Sequence, residues 1–218
     1  MSDAPPATQA GPGGRAARRI VLATRNAGKI AELRVILADV LAELRLELVG
    51  VGDFPDVADV VETGVTFAEN ARLKATTVAD ATGLPALADD SGLAVDVLGG
   101  APGVFSARWS GRHGDDRANL DLLLAQLADV PDPHRGAAFV CAACVALPGG
   151  FTIVREGRFE GTLTREPRGS NGFGYDPILQ VAGDTRTSAE LAPQEKHAIS
   201  HRGQAFRALA ADLRALAG

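Results

Sequence analysis

The sequence predicts an α/β fold of mixed α+β character, and three observations carry that prediction. Short apolar runs with strand character alternate with amphipathic runs whose apolar residues step by three and four. Two longer apolar runs, near Ala137–Leu147 and Phe151–Leu163, flank Pro148-Gly149-Gly150 and read as a hairpin, so part of the sheet is antiparallel. The chain has 218 residues, 46% of them hydrophobic and 22% charged, enough for one large domain or two small lobes with a real core.

Residues 1–17 are rich in Ala, Pro and Gly, show no periodicity, and read as a disordered extension ahead of a folded unit over 18–218. Arg19 to Ala23 is a short strand. A turn over Arg25 to Gly28 leads into a helix from Lys29 to Leu41, with Ile30, Leu33, Leu37, Val40 and Leu41 in one stripe. Leu46 to Val51 is the second strand, followed by a polar acidic loop over Asp53 to Thr63. Thr66-Phe67-Ala68-Glu69 is a capping box that starts a helix running to Ala81 and ended by Gly83. Pro85 to Ala88 is a short strand running into Asp89-Asp90-Ser91-Gly92. A helix over Asp116 to Leu127 precedes the hairpin. The glycine-rich loop Gly169 to Asp176 follows it, Thr187 or Ser188 starts a short helical piece, and Ser200 caps the last helix, striped by Phe206, Leu209, Leu213 and Leu216.

Several functions are excluded or disfavoured by composition. A net charge of −5 argues against a general nucleic-acid binder. The longest apolar stretch is too short to span a bilayer, and the first residues lack a signal-peptide pattern, so the reading is cytoplasmic with no membrane partner. Cys141 and Cys144 lie three apart in a strand and point to opposite faces, which rules out a shared metal or a disulfide and leaves buried thiols.

Four segments offer chemistry. In Thr24-Arg25-Asn26-Ala27-Gly28-Lys29, a strand, a glycine-containing turn and a helix start let backbone N–H groups approach an anion, with Lys29 adding charge. The glycine spacing is not that of a Walker loop. Asp89 and Asp90, adjacent at a strand end, point to opposite sides, so one faces a ligand while the other anchors the turn. Such a carboxylate holds Mg²⁺ or orients a water, and Glu62 in the acidic loop is a second metal-ligand candidate. In Gly169 to Asp176, Phe173 and Tyr175 offer flat faces for a base, a stack worth about 1–3 kcal/mol. Finally, Lys196 to Arg202 gathers cations around a helix start. His201 and Arg202 in a first turn are unfavourably placed against the helix dipole, and a bound anion supplies a reason. His113, His134 and His197 read as surface residues.

Taken in order, these segments resemble the noncanonical purine nucleoside triphosphate pyrophosphatases, the inosine/xanthosine triphosphatases. The resemblance runs from Ile20 to the end of the chain. It rests on Thr24 to Lys29, Thr66-Phe67-Ala68-Glu69-Asn70, Ala88-Asp89-Asp90-Ser91-Gly92-Leu93, Gly99-Gly100-Ala101-Pro102-Gly103 with Ser106-Ala107-Arg108, Gly172-Phe173-Gly174-Tyr175-Asp176-Pro177, and Lys196 to Arg202. Ser170-Asn171 departs from the Thr-Gly that members commonly carry. The resemblance implies a long bent mixed β-sheet flanked by helices, in two lobes with a central cleft. It implies a homodimer, Mg²⁺ dependence, and cleavage of ITP, dITP or XTP to the monophosphate and pyrophosphate, which removes deaminated purines from the nucleotide pool. Carried over by position, Asp90 is general base and metal ligand, and Glu62 is the other metal ligand. Thr24, Arg25, Asn26, Ala27, Gly28 and Lys29 bind substrate, with Thr24, Asn26 and Lys29 on the phosphates. Ser91, Phe173, Gly174, Tyr175, Asp176, Lys196, His201 and Arg202 contact the nucleotide.

Overall fold

A computed structural model describes residues 18–217; the expected disorder of residues 1–17 falls outside them. Six strands form one sheet in the order β2-β1-β3-β4-β5-β6. β1 (Arg18–Leu22) lies parallel to both β2 (Leu46–Gly50) and β3 (Ala86–Val95). β3 to β6 are antiparallel, through the long β4–β5 hairpin (Gly136–Ala146 and Thr152–Leu163) to the short β6 (Leu179–Val181). The mixed sheet expected from the hairpin is therefore present.

The helices follow from local sequence. Asn26 caps α1 (Ala27–Ile36), its side chain accepting from Lys29 N. The expected single helix is divided at Leu37, whose φ of −98° and ψ of 4° relax one residue before α2 (Ala38–Glu43). Hydrogen bonds from Leu37 to Leu33 and from Leu41 to Leu37 cross the break, so the apolar stripe stays in phase. α3 (Phe67–Thr82) opens with the Thr66/Glu69 capping box and closes on left-handed Gly83. Asp115 caps α4 (Asp116–Gln126). α5 (Pro193–Ile199) is a short helix that periodicity did not reveal, because no apolar stripe marks it. α6 (His201–Ala217) starts beyond Ser200, whose Oγ accepts from Gly203 N at 3.1 Å, as a cap should. Phe206, Leu209 and Leu213 are buried, while Leu216, the last member of the expected stripe, is exposed.

The core forms on both faces of the sheet. α1, α2 and α6 cover one face of β1–β3–β4 through Leu33, Leu37, Phe206 and Leu209, while α3 covers the other through Ala71, Ala75, Val78 and Ala79. α4 and β6 close a third cluster around Leu93, Phe139, Phe159 and Ile178. Cys141 and Cys144 are buried free thiols in the first and second of these faces, as the strand period requires. α6 reaches the hairpin because Gly157 lacks a side chain: a Cβ there would meet the backbone at His201 O and Ala205 N.

One difference decides where a ligand goes. The expected short strand at Pro85–Ala88 is a ten-residue strand running through both aspartates. β1 pairs with it only at Val21–Ala86 and Leu22–Leu87 among the described residues. Asp89, Asp90 and Ser91 thus lie mid-strand along β3, with β4 on one side and the C-terminal end of β1 short of them on the other. The chain leaves β1 toward β2 on one side and β3 lies on the other, which makes this gap the topological switch point, where open sheets receive ligands.

Candidate functional site

The segment Thr24 to Lys29 fills the gap at the end of β1. A cleft of about 600 Å³ opens beside it, lined by Asn26, Gly28 and Lys29, by Ser91, by Phe173 to Asp176, and by Lys196, His201 and Arg202. Three members of the expected phosphate turn face elsewhere. Thr24, Arg25 and Ala27 line a neighbouring depression of about 480 Å³. Arg25 is held there by Asp59 at 2.8 Å and by the Val57 carbonyl at 2.7 Å.

The two aspartates point to opposite faces, as expected from the strand period. Asp89 faces the cleft side and is buried between cations: Lys29 Nζ lies 3.0 Å from Oδ2 and Arg202 Nε 3.4 Å from it. Burial alone would raise its pKa; Lys29 and Arg202 overcome that and hold the carboxyl well below the usual range. Arg202 also donates to Glu32 Oε2 at 2.7 Å and to Ser91 Oγ at 3.4 Å. A guanidinium at a helix start costs about 0.3–1 kcal/mol against the dipole. Each charge-assisted hydrogen bond returns about 1.5–3 kcal/mol, so Glu32 and Asp89 decide the placement. The counter-charges at this helix start are the protein's own, Glu32 and Asp89. Burial opposes the Arg202 charge, yet Asp89 and Glu32 still push its pKa upward.

Asp90 faces α3. Its Oδ2 accepts from Asn70 Nδ2 at 3.2 Å and its Oδ1 from Lys74 Nζ at 3.1 Å. The same ammonium donates to Glu62 Oε1 at 2.8 Å. Glu62 and Asp90, paired in the sequence reading, therefore converge on one point of positive charge. Asn70 also accepts from Gly64 N at 2.8 Å, which ties the Glu62 loop to the strand. Burial raises the Asp90 pKa, with Lys74 opposing and Glu62 adding to it. Burial would lower that of Lys74, but Asp90, Asp89 and Glu62 outweigh it and raise it. Sequence reasoning missed Lys74 and left Asn70 without a role. The available signal was their i, i+4 spacing beside Ala71 and Ala75, which places two polar side chains at the edge of an alanine-lined inner face.

The glycine-rich loop separates its two aromatics. Phe173 is 62% exposed at the cleft mouth, with Lys196 Nζ 5.9 Å from its ring centroid. Tyr175 is buried, donates its hydroxyl to Ser106 O at 2.9 Å, and belongs to the core, so it presents no free face. Asp176 holds the loop, accepting from Phe173 N at 2.9 Å, Ser188 Oγ at 2.7 Å and Lys196 Nζ at 2.6 Å. His201 stacks on Phe139 with centroids 5.2 Å apart, and its Nδ1 is buried without a partner. Burial first, then Arg202 and Lys196, drive its pKa well below 6.5, so the ring is neutral at pH 7. His197, read from sequence as a surface residue, instead lines the cleft with Nδ1 3.3 Å from Glu32 Oε1. Its neighbours are brought together by α5, which the sequence did not reveal.

Among the described residues no cluster of three or more His, Cys, Asp or Glu stands ready for a metal, and no helix is long and apolar enough to cross a membrane. Fold and site together define an α/β protein with a cation-lined cleft at the switch point of a mixed sheet. Residues 20–212 match the Ham1 family, and the chain belongs to that family. It is 68% identical over 200 residues to a dITP/XTP pyrophosphatase of Streptomyces avermitilis, covering 92% of this chain and 99% of the relative. It is 59% identical over 201 residues to one of Frankia alni, covering 90% and 97%. A HAM1 protein from Coxiella burnetii superposes with a TM-score of 0.83 at 45% identity, covering 90% of this chain and 98% of that one. A nucleoside-triphosphatase, or dITP/XTP pyrophosphatase, from Mycobacterium abscessus superposes with a TM-score of 0.75 at 54% identity, covering 91% and 99%.

Proposed function

We propose that this chain hydrolyses noncanonical purine nucleoside triphosphates, ITP, dITP and XTP, to the monophosphate and pyrophosphate. The observation that carries the reading is the juxtaposition at the end of β1: a cation-lined cleft on one side of β3 and the Glu62–Asp90 carboxylate pair on the other. The names of the relatives, dITP/XTP pyrophosphatase, agree with it.

Lys29 and Lys196 are the cleft ammonium groups suited to the phosphates, each held in place by a carboxylate, Asp89 and Asp176. Asn26, Gly28 and the open end of α1 contribute backbone and amide donors. Asp90 takes the proton of the attacking water, a task favoured by burial that lifts its pKa toward working pH. Lys74 holds the Asp90 and Glu62 carboxylates in one place. Phe173 receives the base on its exposed face, and His201, Arg202 and Ser91 stand where the nucleotide meets the inner wall. Donors aimed at a 6-oxo group are left unpaired by the 6-amino group of adenine, which rejects it.

The donor set fits Mg²⁺: two carboxylate oxygens already converge on a single cationic centre, and hard divalent ions take oxygen ligands of that kind. Glu62 and Asp90 would hold the ion, which when bound neutralises phosphate charge and acidifies water. A homodimer acting in the cytoplasm completes the reading, on the family resemblance. The test is pyrophosphate release with Mg²⁺ across ITP, dITP, XTP, ATP, GTP and modified pyrimidine triphosphates. Turnover of the deaminated purines well above that of ATP is expected; GTP, which shares the 6-oxo group, reports on the 2-position. Equal turnover of ATP and ITP would overturn the base preference, and binding without release would overturn catalysis.

A further inference from the structure

We infer that Asp116 is a positioning residue for the loop that carries Phe173, an inference that rests on the reading of Phe173 as the base platform. Asp116 is the first residue of α4 but not its cap: Asp115 Oδ1 accepts from Ala118 N at 3.1 Å and does that work. Asp116 is left to line the cleft, where its Oδ2 accepts from Gly174 N at 3.0 Å. The residues on either side of Gly174 are also held. Phe173 N donates to Asp176, and the Tyr175 hydroxyl donates to Ser106 O. Three consecutive residues are thus fixed by three different anchors.

Asp116 stands on a firm base. Asn119, one turn on and buried, accepts from Ser110 N at 2.7 Å and donates to Ala107 O at 3.2 Å, while Leu120 and Leu123 sink into the core. Gly174 is the opposite. Its φ is +60°, a Cβ there would meet nothing within 4 Å, and it has no side chain to pack. Such a residue is the natural hinge of the loop. Phe173 cannot hold its own position either, because its ring is mostly exposed and is met by the Lys196 ammonium at 5.9 Å rather than packed in the core. The direction of the ring is therefore set by the backbone on both sides of it. Asp176 fixes the near side from within the loop's own segment, and Asp116 fixes the far side from α4.

The experiment combines steady-state pyrophosphate release from ITP with hydrogen exchange of the peptide spanning residues 169–176. Asp116→Ala is expected to raise KM about tenfold, the size of one charge-assisted hydrogen bond, with kcat held within about twofold. Asp116→Asn keeps a carbonyl acceptor for Gly174 N and is expected to bring KM back to within about threefold of the parent. Adding Asp116→Ala to Phe173→Ala should raise KM no further than Phe173→Ala alone, since the one acts through the other. Exchange in the loop should quicken in Asp116→Ala and return in Asp116→Asn. Unchanged KM and exchange in Asp116→Ala would overturn the inference, as would additive KM effects, or an Asn variant as impaired as the Ala variant. Failure of the parent enzyme to release pyrophosphate from ITP would instead overturn the functional reading, and the exchange measurement would still decide whether Asp116 holds the loop.

Discussion

Replacing His201 by Phe should flatten the loss of stability on acidification by a calculable amount. His201 is 8% exposed and stacked on Phe139, with Arg202, Lys196 and Lys29 nearby disfavouring the imidazolium and Asp89 favouring it. Its folded-state pKa lies well below 6.5, so as pH falls from 7.5 to 5.5 the unfolded chain takes up more proton at this residue than the folded chain does. Stability is then present above the unfolded pKa and is lost as pH falls through it. The linkage integral for one such group is RT ln(1 + 10^(6.5−pH)), about 0.1 kcal/mol at pH 7.5 and about 1.4 kcal/mol at pH 5.5. Phe conserves the ring stack and removes the titration. Urea denaturation of both proteins at pH 5.5, 6.5 and 7.5 measures the effect. The parent should lose more than His201→Phe across that range, up to a ceiling of about 1.4 kcal/mol set by the unfolded chain. All other titrating groups cancel in the comparison to first order. Parallel pH profiles would refute the reasoning, because they would mean that the folded protein protonates His201 as readily as the unfolded chain.

Three further outcomes follow from the geometry. Asp90→Asn keeps the Asn70 and Lys74 neighbourhood but removes the base, and should cut kcat for ITP at saturating Mg²⁺ by about 10²-fold or more; near-normal turnover would show that another group takes the proton. Lys74→Met leaves Glu62 and Asp90 facing each other without their cation and should cost about 2 kcal/mol in urea, part of it recovered on adding Mg²⁺. Stability indifferent to both changes would remove the carboxylate pair as a cation site. Gly157→Ala drives a methyl group into the α6 backbone at His201 and Ala205, where no side chain can yield, and should cost at least about 2 kcal/mol by denaturation and displace His201 from Phe139. A fully stable alanine variant would mean that α6 lies further from β5 than the structure places it.

Elements whose signal is local were legible in the sequence. The Thr66/Glu69 box, the left-handed Gly83, the hairpin around Pro148-Gly149-Gly150 and the opposed cysteines each depend on residues within a few positions of one another, and each appears as expected. The length of β3 was not legible, because Asp89-Asp90-Ser91-Gly92 reads as a turn by composition. Those residues remain extended because all four pair with β4, from Ala143 to Val140, and because their polar side chains find partners across the fold. Gly92 shows the same logic: a Cβ there would collide with Ser106 and Gly103, so the glycine that looks like a turn residue serves close packing against the 3₁₀ turn Gly103–Arg108.

Three cations of the site were legible, their partners were not, and the reason is sequence distance. Lys29, Lys196 and Arg202 stand out one by one as charges near helix starts, whereas Lys74 went unread in the middle of α3. The counter-charges of Lys29, Lys196 and Arg202 lie 60, 20 and 113 residues away, at Asp89, Asp176 and Asp89 again, and that of Lys74 lies 16 away, at Asp90. No local pattern announces such pairs, yet burial demands them, since an ammonium or guanidinium removed from water without a partner costs several kcal/mol. An acidic chain can therefore build a cation-lined cleft: the carboxylates that make its net charge −5 include those that keep the buried cations charged and aimed. A cluster that read as a bare anion trap at the start of α6 is better described as a network spanning α1, β3 and α6. Arg202 stands at its centre between Glu32 and Asp89, and the phosphate turn is joined to it through Lys29. The two cations meet at one buried carboxylate: Lys29 Nζ lies 3.0 Å and Arg202 Nε 3.4 Å from Asp89 Oδ2, so Asp89 holds both in place.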